Sequence, residues 1–207
     1  MAKTPVTGCF STPLDGLLGT RAKIGVLRVI AGAPTPLGYR EVARRSGMAY
    51  RSIELGIKEL VTLGILERID GSRERLVRLS ASHRLAPAVL ALLRAEEDFR
   101  PALRAELRVL AEAGVSDGLI AVAIVGAAAR DQERIGDSLK ILLLGNDPSV
   151  GTRWRHHFEQ MGPEISRRFG VRLEVVFQEP ADARKKRQLF REAELLAGAP
   201  LDTAIDG

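Results

Sequence analysis

YREVARRSGMAYRSIELGIKELV, residues 39–61, holds two short helical patterns on either side of a glycine turn. The first runs from Tyr39 to Arg45, turns Val42 and Ala43 inward, and ends at Ser46-Gly47, where glycine readily takes the conformation of a tight turn. The second starts near Ala49. Its Ile53, Ile57, Leu60 and Val61 recur at helical spacing as one buried stripe, and Gly64 ends it. Two helices joined by a turn of about four residues containing glycine form a helix-turn-helix, whose second helix enters the major groove of duplex DNA. The polar side of that helix carries Ala49, Tyr50, Arg51, Ser52, Leu55 and Lys58. Arg51 is the first candidate to read a base, because a guanidinium can pair with both O6 and N7 of guanine. Tyr50 and Ser52 suit phosphate, and Arg40, Arg44 and Arg45 on the preceding helix are expected to serve the sugar-phosphate backbone.

The flanks complete the motif. Upstream, Ile24, Leu27, Val29 and Ile30 give an apolar helical face that stops at Gly32 and the prolines Pro34 and Pro36. Downstream, ILERI and LVRLS around DGSRER read as two strands joined by a basic hairpin, with Arg73 and Arg75 placed to follow a phosphate or enter the minor groove. Three helices and a hairpin make a winged helix-turn-helix spanning residues 18–86. Residues 1–17, rich in Thr, Pro, Gly and Ser, read as a flexible arm. Any one of these arginines fits a solvated helix face as well; the combination points to DNA. Glu54, Glu59, Glu67 and Glu74 dilute the positive patch and keep open a second reading, a winged-helix adaptor that binds protein.

Bulk properties agree with a folded protein that has a polyanionic partner. The 207 residues suffice for two modest domains, and the charge is +5, carried mostly by arginine. Cys9 is the only cysteine, which excludes an internal disulfide and a thiolate zinc site and fits a reducing compartment. No apolar run is long enough to span a bilayer and no signal-peptide core stands at the N-terminus, so a cytoplasmic protein without membrane contact is expected. His156 and His157, adjacent on a helix, point in different directions, and no metal site or cofactor is expected.

Beyond residue 86 the texture changes. Pro87 opens one helical stretch and Pro101 starts or kinks a second, giving linker helices over 87–114. Residues 115–207 then read as α/β: apolar strands LIAVAIVG and LKILLLG, a helix from Trp154 to Phe169 interrupted at Gly162-Pro163, a strand VRLEVVF, and a helical tail from Ala181 to Leu196. The basic run Arg184, Lys185, Lys186 and Arg187 is a weak secondary patch.

The stretch LGYREVARRSGMAYRSIELGIKELVTLGILERIDGSRERLVRLSASHRLAPAVLALL resembles the winged-helix module of prokaryotic transcription regulators that is often fused to a minimal nucleotidyltransferase-like domain. VAIVGAAARDQERIGDSLKILLL, residues 122–144, is similar to the nucleotidyltransferase motif, in which strand, Gly-Ser, helix and Asp-x-Asp build the nucleotide and metal site. The resemblance implies an α+β protein with an N-terminal winged helix-turn-helix and a degenerate α/β nucleotidyltransferase-like domain. Gly126 keeps its place, but Ala127 stands where the family has serine, and Ser138 and Lys140 stand where it has the two metal-binding aspartates. A hydroxyl and an ammonium cannot hold Mg²⁺, so no catalytic activity is expected. Asp137 is one residue out of register, which turns it to the other face of the strand; Glu174 fits a surviving third carboxylate of the motif, but alone it reads as a strand-surface charge.

The expected protein is thus a sequence-specific, double-stranded DNA-binding regulator acting as a homodimer. By analogy with compact regulators that occlude promoters, repression is expected over activation. Two roles are open to the second domain: support of the dimer, or binding of a nucleotide or other small anionic effector in a cleft of Gly126, Ala127, Arg130, Ser138 and Lys140. The alternatives are an active nucleotidyltransferase modifying a protein or RNA in a toxin-antitoxin setting, or the protein-binding adaptor.

Overall fold

The computed structural model describes residues 18, 20–69, 75–185, 190 and 192–206. The expected arm, Cys9, the hairpin tip with Arg73, and Lys186 and Arg187 lie outside them. The chain divides between Glu97 and Asp98 into two compact units.

The first unit is built as the residue patterns require. Helix α1 (Arg21–Ala31) buries Ile24, Val26, Leu27 and Ile30 and is closed by Gly32. A two-residue strand β1 (Leu37–Gly38), not foreseen in the sequence, leads into α2 (Tyr39–Ser46). Gly47 ends α2 in the left-handed region at φ 65°, a conformation that would strain any residue with a Cβ. Helix α3 (Tyr50–Thr62) follows, with Ile53, Gly56, Ile57 and Leu60 buried. Strands β2 (Leu66–Ile69) and β3 (Leu76–Leu79) pair antiparallel, with Leu66 opposite Leu79 and Arg68 opposite Val77, and β1 adds to the other edge of β3. The order β1-β3-β2 behind three helices is a winged helix. Its core joins Ile24, Val26, Ile30, Val42, Ile53, Ile57, Leu66 and Val77. Arg28 and Glu96 close this unit with two hydrogen bonds of 2.7 and 2.5 Å.

Between the expected linker helices there is no break. Helix α4 runs from Ala86 to Ser116 with Pro101 inside it. The ring is exposed, so its missing N–H and its bulk fall on the solvent side, while Leu103, Leu107 and Ala111 anchor the following turns in a core.

In the second unit, strand β4 (Ala121–Val125) pairs antiparallel with β5 (Ser138–Leu144), which pairs parallel with β6 (Arg172–Gln178). A single 3₁₀ turn (Ala128–Arg130) occupies the start of the β4–β5 connection. The β5–β6 crossover is α5 (Pro148–Phe169), capped by the Asp147 carboxylate accepting the Ser149 amide at 2.8 Å. The expected interruption at Gly162-Pro163 is absent. Pro163 is exposed, and Phe158 and Ile165, both fully buried, hold the helix to the sheet on either side of it.

The tail departs further from expectation. Among the described residues, α6 (Pro180–Lys185) and Phe190 are helical as predicted, whereas Glu194–Gly198 forms strand β7 on the free edge of β4, and α7 (Leu201–Asp206) follows. The sheet order is β6-β5-β4-β7. One core joins Leu103, Leu107, Val122, Ile124, Ile141, Leu143, Phe158 and Ile165; a smaller cluster gathers Ala121, Leu144, Ala183 and Ile205. Among the described residues no helix is long and apolar enough to cross a membrane.

Candidate nucleic-acid interface

On α3 the buried residues and the exposed ones separate cleanly. Arg51, Leu55, Lys58 and Thr62 recur at steps of four, three and four, so they form one stripe on the side away from Ile53, Ile57 and Leu60. Ala49 is the residue before the helix, and Tyr50 and Ser52 border the stripe in the first turn, both exposed. No acidic side chain occupies that turn, so the positive end of the helix dipole is uncompensated where Arg51 sits.

The basic residues picked out by sequence are not equivalent in the folded chain. Arg44 donates to the two Glu41 carboxylate oxygens at 2.8 and 2.6 Å, and Arg45 donates to the same carboxylate at 2.6 Å. These hydrogen bonds, with the two positive charges, hold the Glu41 carboxyl down at about 2. Arg44 and Arg45, which the sequence reading assigns to phosphate, are thus both paired with one partly exposed carboxylate in the folded chain. Lys58 is likewise paired with Glu54 at 2.9 Å, which lowers the Glu54 carboxyl below its ordinary range. Arg78 pairs with Glu67 across the hairpin. The spacings were the missed signal, since Glu41 lies three and four residues before the arginines and Glu54 four before the lysine.

Arg40, Arg51, Arg68 and Arg75 are exposed and form no ion pair or side-chain hydrogen bond among the described residues. Arg75 and Arg51 both act on the Glu54 carboxyl through their charge, which places the base of the hairpin and the start of α3 within electrostatic reach. Arg68, on β2, was not singled out by sequence. The unit thus offers an exposed helix face with an uncommitted guanidinium at its N-terminal end and further cations on α2 and the hairpin. That arrangement suits a polyanion approached by a helix.

The second candidate site lies on β5. Ser138 and Lys140 share a face, as alternation demands, while Leu139 between them is buried. Lys140 is opposite Glu174 on β6 in register, and the two side chains pair at 3.2 Å. Gly126, at φ 81°, lies beside the Lys140 side chain. Arg130 is drawn elsewhere, toward Glu192 at 3.6 Å and Gln132 at 3.4 Å. Asp137 caps the preceding turn by accepting the Arg134 amide at 2.8 Å. A hydroxyl, an ammonium and a carboxylate already paired with that ammonium do not fit a divalent cation. No group of three or more His, Cys, Asp and Glu among the described residues is placed to hold a metal.

Two cavities occupy the opposite end of the same strands. One of about 410 Å³ is lined by Pro148, Phe177, Gln178, Glu179, Asp182 and Lys185; the other, about 310 Å³, includes Ile120, Asn146, Glu179 and Arg184. Lys185 is paired with Asp182 at 2.9 Å and Arg184 donates to the Ile205 carbonyl, so two members of the weak basic run serve local structure. His156 meets Gln160 at 2.9 Å, and the His157 ring lies 5.0 Å from that of Trp154 at a tilt of 48°; the Trp154 indole N–H donates to Asp117 at 2.7 Å.

No family model matches the sequence, and no curated protein does. Among solved structures, a MarR family transcription regulator aligns at 20% identity and a TM-score of 0.36, covering 46% of this chain and 62% of that one. A MarR family regulator from Silicibacter pomeroyi aligns at 17% and 0.34, covering 44% and 63%. A third, from Neisseria meningitidis, aligns at 19% and 0.35, covering 52% and 83%. This chain thus spans less than two thirds of the first two. Likeness of this degree assigns no function.

Proposed function

We propose that this protein is a sequence-specific regulator of transcription that binds duplex DNA through α3 and the β2–β3 hairpin. The observation that carries this reading is the exposed face of α3, with Arg51 uncommitted at its start. A guanidinium so placed can pay its desolvation only by meeting an acceptor pair, and guanine O6 and N7 supply one in the major groove. Arg40 and Arg75 supply phosphate contacts that fix the register, and Arg73 is assigned with them. Arg44 and Arg45 contribute only after giving up Glu41.

The regulator acts as a homodimer, so that two copies of α3 meet half-sites about one helical turn apart, and it represses by occupying its operator. The second unit is a nucleotidyltransferase-like domain that has lost its chemistry. What supports this is the strand–turn–strand–helix–strand order of β4, β5, α5 and β6, with the Lys140–Glu174 pair where carboxylates would hold metal. It serves the dimer or binds a small anion. Magnesium-dependent transfer of label from a nucleoside triphosphate would overturn the loss of chemistry.

The test is selection of bound duplexes from a random pool by wild type and by Arg51→Ala. A shared consensus is expected, with preference at one or two positions lost in the variant and a discrimination of about 1–3 kcal/mol removed there. A pool that stays random for the wild type refutes sequence-specific binding.

A further inference from the structure

Leu55 is 59% exposed at the centre of the α3 stripe, one turn after Arg51, one turn before Lys58 and two turns before Thr62. A lone exposed leucine is ordinary on a protein surface. This one occupies the middle of the face proposed to enter the major groove, between residues suited to polar partners. If that face met only phosphate and water, the leucine would lose nothing and gain nothing. On the floor of the groove it meets edges of bases, and the floor carries one apolar group, the C5-methyl of thymine.

We infer that Leu55 is a specificity-determining residue that reads a thymine by contact with its methyl group. This rests on the DNA-binding reading and sharpens it. Four residues of helix advance about 6 Å, and base pairs are stacked at about 3.4 Å. The thymine therefore lies one or two base pairs from the guanine met by Arg51. Cytosine at that position has hydrogen in place of the C5-methyl and an amino group in place of thymine O4, so it is rejected for want of an apolar partner and for desolvation of a donor.

The experiment uses the full chain and the consensus duplex recovered by selection. Each thymine of the site is replaced in turn by deoxyuridine, which keeps every hydrogen bond and removes only the methyl. One replacement, one or two base pairs from the Arg51 guanine, is expected to weaken wild-type binding about fourfold, the worth of one buried methyl group. Leu55→Ala should bind the thymine and uracil duplexes alike, while Leu55→Met keeps the sensitivity; circular dichroism checks that both variants are folded. Sequence-selective binding with no deoxyuridine effect overturns the inference and leaves the DNA reading intact. So does an effect that persists undiminished in Leu55→Ala, which assigns the methyl to another side chain. Absence of selective binding by the wild type overturns both.

Discussion

At the residue scale, the folded chain sorts the arginines by what already holds them. Glu41 bridges Arg44 and Arg45, so its removal should act in an unusual direction. Glu41→Gln frees two guanidinium groups and is expected to tighten binding to random duplex at low salt. It should also steepen the dependence of log K on log salt, by up to about 0.9 for each phosphate newly met. Binding titrations at several salt concentrations measure this, and unchanged affinity would mean that α2 does not approach the backbone. The same carboxylate gives a pH prediction. Its folded value of about 2 lies below the ordinary 4.5, so the pair stabilises the fold above the ordinary value and is lost as pH falls from there toward 2. A carboxyl carbon titration by NMR should place the Glu41 midpoint near 2, moving back toward 4.5 in Arg44→Ala/Arg45→Ala. The face of α3 was legible in the sequence because its apolar stripe fixes which residues are left outside. Which cations remain uncommitted was also written there, in the spacings from Glu41 and Glu54, but it needs the acids to be read with the bases.

At the element scale, glycine and proline carry the informative departures. Gly151, in the first turns of α5, lies against the ring of Phe177 on β6 so closely that a Cβ there would overlap it. Gly151→Ala should therefore cost about 1–3 kcal/mol despite the better helix propensity of alanine. Trp154 is the single tryptophan and sits one turn further along α5, so its fluorescence in a denaturant titration reports this directly. An unchanged or raised midpoint would show that the ring moves aside without loss. Pro101 and Pro163 looked like breaks because proline removes a hydrogen bond, yet both rings are exposed and buried residues grip the helix beyond them. Strand β7 was illegible for a related reason. Its residues, Glu194-Leu-Leu-Ala-Gly198, are acceptable in a helix, and only the free edge of β4 makes a strand the better choice.

At the scale of the whole molecule, the chain carries two units, the first proposed to read DNA and the second proposed to have lost its chemistry. The first was readable because a winged helix is made of local signals: two periodic helices, a glycine turn and a hairpin. The second depends on long-range pairing, and its strand order was not read from the sequence. Lys140 and Glu174 lie 34 residues apart in sequence, and their meeting follows from the parallel register of β5 and β6. Lys140→Asp should leave DNA binding unchanged if this unit supports the dimer alone. A shift in operator affinity when nucleotide is added to the wild type, absent in Lys140→Asp, would establish a sensing role. Sedimentation equilibrium should give twice the chain mass at the concentrations where the operator is bound, and a monomer bound to a single half-site would refute the dimer.

Sequence-specific recognition of DNA is open to a binding titration across salt. The duplexes are DNA from the protein's own upstream region and a random duplex of equal length. Tight binding to the upstream DNA is expected to persist as salt rises, with the random duplex released. Equal and equally salt-sensitive binding to both, or no binding to either, would contradict sequence-specific recognition.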